Sequence, residues 1–182
     1  IFLPYKNRKI FNGISIKDTL IINDKIYVSL LEEIKKGCWT NTILVSELDF
    51  NELIFERKFS PKECVDKYNS WNNEFSWHQT GGRLERMNDN EIFFSTGEFR
   101  NRELAQDNKS IFGKILKINL DTEEYKIISK GHRNPQGLYF DAKENIILSS
   151  DHGATGGDEI NLSDLNLDRE FNFGWPIASY SK

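Results

Sequence analysis

The sequence predicts an all-β fold made of repeated sheet units, a partial β-propeller of about three blades. Two interleaved repeats predict it: polar turns that each feed a short β-rich run, and hairpins closed by acidic turns. Long amphipathic helical periodicity is missing throughout.

The first repeat begins at Asn23-Asp24-Lys25, which leads into Ile26-Tyr27-Val28-Ser29. It returns at Asn88-Asp89-Asn90 before Ile92-Phe93-Phe94-Ser95-Thr96. A third copy is Asp141-Ala142-Lys143 before Ile146-Ile147-Leu148-Ser149-Ser150. Asn and Asp favour turns because their side chains bond the backbone two residues on, and β-branched and aromatic residues favour strands. The leading isoleucines are 66 and 54 residues apart. In the second repeat, 42–48 and 53–59 flank a turn at 49–52, and 114–120 and 125–129 flank a turn at 121–124. The stretches 30–36 and 61–68 are each predicted as a short helical turn, and a further strand is predicted after Glu159.

Composition narrows the class. Of 182 residues, 38% are hydrophobic, 13% aromatic and 29% charged, which excludes disordered and membrane-span compositions. The formal net charge is −4 with dispersed Lys and Arg, so no nucleic-acid surface is expected. No run approaches the roughly 18 apolar residues that read as a membrane span. Three blades do not close a ring and would leave sheet edges and faces uncovered. Residues 1–182 are therefore expected to be one propeller domain incomplete at both ends. The only cysteines, Cys38 and Cys64, are too few for a Cys-only zinc site. They fit either a disulfide in an oxidising compartment or two buried thiols.

Three segments break the repeat. Residues 69–83 hold Trp71, Trp77, His78, Gln79, Gly81 and Gly82. An imidazole titrates near neutrality, so His78 can act as a general base or make a structural hydrogen bond. Residues 131–137 read GHRNPQG. Arg133 offers a fork suited to carboxylates, Asn134 offers a donor and an acceptor, and Pro135 stiffens the backbone. The alternative is a turn whose Arg133 pairs with Asp158 or Glu159. Residues 151–159 read DHGATGGDE, combining acids with Gly-rich backbone whose carbonyls can face a hard cation. That loop lacks the ligand spacing of an EF-hand, and His152 has no second histidine at ligand spacing.

Five blocks in one order carry a resemblance: HQTGGRL (78–84), AQDNKSIFGKILKINLD (105–121), GHRNPQGLYFD (131–141), DHGATGGDEINL (151–162) and NFGWP (172–176). Together they resemble the soluble sugar dehydrogenases dependent on pyrroloquinoline quinone (PQQ), the glucose/sorbosone and aldose sugar dehydrogenases. The resemblance implies a six-bladed propeller with PQQ near its axis, of which this chain would be half. It implies that His78 takes the proton of the sugar C1 hydroxyl as hydride passes to PQQ, giving a lactone. Arg133 and Asn134 match positions that contact PQQ. Gly153 and Ala154 match a pair whose carbonyls hold Ca2+, and Asp158 matches a supporting acid. The partners implied are a small sugar and an unidentified electron acceptor, in the periplasm or outside the cell. The three blades alone are not expected to turn over.

The sequence departs from the pattern at three places: Trp77 stands where many members carry Asp, Ala154 where Pro is usual, and Glu98-Phe99 follow Gly97 where Gly-Asp is common. Two rival functions are a calcium-dependent lactonase and a non-catalytic propeller binding module. The first would need acidic ligands near the axis, and the second would not need His78 with Arg133 and Asn134.

Overall fold

The computed structural model describes residues 15–70 and 73–178 of the chain; Trp71, named above, lies outside them. Thirteen strands are found among the described residues. The first sheet takes β1 (Ser15–Ile22), β2 (Lys25–Lys35), β3 (Cys38–Glu47) and β4 (Glu56–Phe59) in order, and β5 (Val65–Asp66) also pairs with β3. A second sheet orders β6 (Gly81–Arg86), β7 (Glu91–Thr96), β8 (Lys114–Asn119) and β9 (Tyr125–Lys130), then β13 (Phe171–Asn172) parallel to β9. The third orders β10 (Pro135–Asp141), β11 (Ile146–Asp151) and β12 (Glu159–Asp164). These are the three predicted blades.

Polar turns set the hairpins as the sequence implies. Asn119 Oδ1 accepts from the backbone of Asp121 and Thr122, both at 2.9 Å, and Asp141 Oδ1 accepts from Lys143 and Glu144 at 2.9 and 3.1 Å. Asn23 and Asn145 take left-handed φ of 53° and 54°, a conformation that Asn adopts more readily than most residues.

Two predicted helical turns are corrected. Residues 30–36 continue β2 through Lys35, with Leu30, Leu31 and Glu32 paired to Thr42, Asn41 and Thr40 of β3. The strand is covered on both faces, so it lacks the alternation that would have marked it. Residues 61–68 contain β5 instead of a helix, paired to Trp39 and Cys38. The Cys38–Cys64 disulfide, with Cα atoms 5.3 Å apart, fastens this segment and settles the alternative left open by spacing. The strand predicted after Glu159 is β12, which completes the third sheet as resolved instead of opening another unit.

Packing follows the two-residue period of strands. Ile92 and Phe94 of β7, with Leu116 and Ile118 of β8, join the large core against the first sheet. Their neighbours Phe93 and Ile115 point the other way and join Ile128 and Ile147 toward the third sheet. Each such side chain contributes about 1.5–3 kcal/mol by leaving water, which makes the second blade the wedge between the others.

The first strands of the blades lie together. Asp18 of β1 accepts from Leu84 N at 2.9 Å and pairs with Arg83 of β6 at 3.3 Å. On the other side, Gly81 N of β6 donates to Asn134 Oδ1 at 3.0 Å, next to the start of β10. With β6 between β1 and β10, the residues preceding β6 and β10 sit at one end of the sheets.

Candidate functional site

That shared end gathers the predicted residues. Positions 78–80 lead into β6, 131–134 lead into β10, and β11, antiparallel to β10, returns Asp151 and the following loop to the same end. His78 is exposed on a turn, its backbone N–H donating to Ser76 Oγ at 3.3 Å. Its neighbour Gln79 is buried and links it to the rest. With its amide oriented to satisfy both ends, Gln79 donates to Glu98 Oε1 at 3.0 Å and accepts from Arg133 Nη2 at 2.8 Å.

Arg133 is the centre of the group. Its Nη1 donates to the carbonyls of His152 and Gly153 at 2.8 and 2.9 Å, and its Cζ lies 5.5 Å from the centroid of the Trp175 ring. Arg102 lies over the same ring at 5.9 Å. Burial pulls the Arg133 guanidinium below its ordinary range, while Glu98 and Asp151 oppose that shift. Neither expected acid pairs with it: Asp158 instead sits 3.1 Å from His152 Nδ1. Asn134 is buried, and its carbonyl accepts from His152 N at 3.1 Å.

Asp151 organises this loop. Its Oδ2 accepts from Arg133 N at 3.0 Å and lies 3.2 Å from His132 Nδ1, and its Oδ1 accepts from Asn134 N at 2.6 Å. A carboxylate can only accept, so His132 donates through Nδ1, and its Nε2 lies 2.8 Å from Ser129 Oγ. Sequence reasoning assigned no role to Asp151 or His132. A signal was present: Ile147, Ser149 and Asp151 share one buried face of β11 at two-residue spacing.

Glu98 was read only as a departure, and the structure makes it part of the group. It is fully buried, and its Oε2 has no hydrogen-bond partner among the described residues. Burial pushes its carboxyl up to about 8, against the attraction of Arg133 and Arg102. The left-handed turn behind it, Phe99 at φ 58° and Arg100 at φ 66°, swings the chain so that Phe99 N reaches Gln79 O at 2.8 Å.

The 151–159 loop is closed on itself. Gly153 N donates to Asp158 Oδ1 at 2.9 Å, and Ala154 O accepts from Gly157 N at 3.2 Å. A Cβ on Gly153 would overlap the Gly157 carbonyl, which explains glycine there. Among the described residues no three His, Cys, Asp or Glu side chains form a metal cluster. The oxygens of Gly153, Ala154 and Asp158 would make three of the six to eight that calcium takes, but the Arg133 charge on Gly153 O opposes a second cation. As folded, the loop does not fit calcium. A planar polycarboxylate quinone fits better, because a cationic guanidinium, the unpartnered Glu98 Oε2 and the unpartnered Trp175 Nε1 are brought together.

The glucose/sorbosone dehydrogenase family matches residues 11–182. Aldose sugar dehydrogenase YliI of Escherichia coli is 32% identical over 113 residues, covering 55% of this chain and 29% of that protein. Quinoprotein glucose dehydrogenase B of Acinetobacter calcoaceticus is 31% identical over 134 residues, covering 57% of this chain and 27% of that protein. The PQQ-bound aldose sugar dehydrogenase of Streptomyces coelicolor superposes with a TM-score of 0.67 at 24% identity, covering 92% of this chain and 48% of that structure. The fold is thus that of a β-propeller, and the chain spans about half of the solved structure it matches and less than a third of these two curated relatives.

Proposed function

Because the chain belongs to the glucose/sorbosone dehydrogenase family, we propose that the complete protein is a quinoprotein that oxidises the C1 hydroxyl of an aldose to a lactone. The observation that carries this is the guanidinium of Arg133, clamped between Gln79, two carbonyls and the Trp175 ring, at the same end of the sheets as the exposed imidazole of His78.

When bound, PQQ supplies a quinone that accepts hydride. Arg133 would hold a carboxylate of such a cofactor, and Asp151 fixes the N–H groups of Arg133 and Asn134 so that little reorganisation would be needed. Asn134 contributes mainly through position, because its Oδ1 already holds Gly81 N. His78 accepts the proton of the sugar hydroxyl, for which its place on an exposed turn suits it. Glu98, largely protonated near pH 7, keeps the cluster from carrying a buried negative charge next to the incoming carboxylates. Calcium is left out of the proposal, because the Arg133 guanidinium on Gly153 O opposes a second cation among Gly153, Ala154 and Asp158. None of these residue roles depends on it.

The proposed location is outside the cytoplasm, where the Cys38–Cys64 disulfide persists. Among the described residues no helix is long and apolar enough to cross a membrane. The test is reconstitution of the complete protein with PQQ, with and without calcium, followed by aldose-dependent reduction of an artificial acceptor. His78→Ala is expected to bind PQQ and lose turnover. A protein that ignores PQQ in titration refutes the dehydrogenase, and hydrolysis of a sugar lactone with calcium alone would favour a lactonase on the same scaffold.

A further inference from the structure

Trp77, next to His78, is placed unlike an ordinary surface tryptophan. The residue is 42% exposed, yet its ring is fixed from several sides. Trp39 and Phe75 meet it edge-on, with centroids 5.9 and 5.7 Å away and interplanar angles of 68° and 81°. The Lys67 ammonium lies 4.5 Å from its centroid, and the Lys17 ammonium donates to its carbonyl at 3.1 Å. Trp39 is itself buried, so the base under Trp77 is rigid.

The turn that carries it is tied to the site. Ser76 N donates to Phe99 O at 3.0 Å, and Phe99 N donates to Gln79 O at 2.8 Å, which holds 76–79 against the strap containing Glu98. The indole packs edge-on against Trp39 and Phe75 with Lys67 over its ring, and the residue still keeps part of its surface exposed. A fixed indole supplies flat apolar area with little entropy to lose on binding.

We propose that Trp77 is a specificity-determining residue, a stacking platform for the C–H face of a pyranose ring whose C1 hydroxyl is presented to His78. This inference rests on the dehydrogenase reading for the direction in which the sugar lies. The platform itself rests on the aromatic cluster. Sugars present a face of axial C–H groups that packs on indole, while their equatorial hydroxyls remain free for polar partners. The site would therefore select aldopyranoses with an unbroken C–H face over small acyclic polyols, which lack one.

The experiment uses the complete protein and three variants: Trp77→Ala, Trp77→Leu to keep apolar bulk over Trp39 and Phe75, and Trp77→Phe to keep a ring. With PQQ loaded, the Ala and Leu variants are expected to raise KM for glucose about fivefold to tenfold with kcat within about twofold, and the Phe variant to stay near wild type. Saturation-transfer NMR with glucose, run without reference to turnover, should show transfer to the sugar ring protons in wild type and the Phe variant and its loss in the Leu variant. Unchanged KM and unchanged transfer in the Leu variant overturn the platform. If the wild type oxidises no aldose, the proposed function falls, and the NMR comparison alone then decides. Loss of transfer in the Leu variant upholds the platform, and transfer that is retained there or missing from wild type overturns it.

Discussion

Replacing Glu98 with glutamine should abolish a specific part of the protein's pH dependence. The wild-type carboxyl is fully buried, and burial raises it from an ordinary value near 4.5 to about 8. In the unfolded chain it titrates normally, so between these values the native state binds a proton that the unfolded state has released. Stability therefore falls as pH rises through that window, by about 1.4 kcal/mol per pH unit once the unfolded carboxyl is ionised. From pH 5 to 7.5 the loss is about 3 kcal/mol. The buried Lys114, drawn down to about 8 by burial, keeps its proton in both states over most of this range and does not mask the effect. Urea unfolding of wild type and Glu98→Gln at pH 5, 6, 6.75 and 7.5 measures it. The variant should match the wild type within about 1 kcal/mol at pH 5 and exceed it by about 3 kcal/mol at pH 7.5, since glutamine keeps the shape of the neutral acid. Parallel curves across the series would show that Glu98 is ionised in the folded protein and would refute the argument.

Other perturbations read other parts of the structure. Asp151→Ala leaves Arg133 N, Asn134 N and His132 Nδ1 without their shared acceptor and should cost about 3 kcal/mol, seen as a fall in Tm of roughly 6–12 °C by calorimetry. The double variant Cys38→Ala with Cys64→Ala opens a link spanning 26 residues, and loop entropy predicts a loss of about 3.5 kcal/mol in urea unfolding. Reductant should then have no further effect on the variant.

What was legible in the sequence was the repeat and the motif, and what was hidden was whatever depended on burial. Ile26, Ile92 and Ile146 marked their strands because Asn and Asp turns stood directly before them. Leu30, Leu31 and Glu32 did not, because a central strand covered on both faces loses its polar alternation. Residues 61–68 misled because β5 is only two residues long and depends on pairing with β3, 26 positions away for Trp39 and Val65. In the site, Arg133 and Asn134 stood out by composition. Glu98 did not, since its environment is made by Gln79 and Arg133, which reach it only after β6 and β10 come together.

This difference decides which substitution can report on chemistry. Asn134→Ala would release Gly81 N and loosen β6 from β10, so lost activity in that variant measures blade packing as much as any contact with a cofactor. Arg133→Ala would free two carbonyls of the 151–159 loop and remove the partner of Gln79, with the same ambiguity. Gly153 is constrained by its own backbone, where any side chain meets Gly157. His78 differs from all three, because its imidazole stands exposed on a turn whose anchors are backbone groups at Ser76, Gln79 and Phe99. Truncating that ring leaves those anchors in place, so loss of turnover with unchanged PQQ affinity and unchanged Tm in His78→Ala would measure a missing base and not a damaged scaffold.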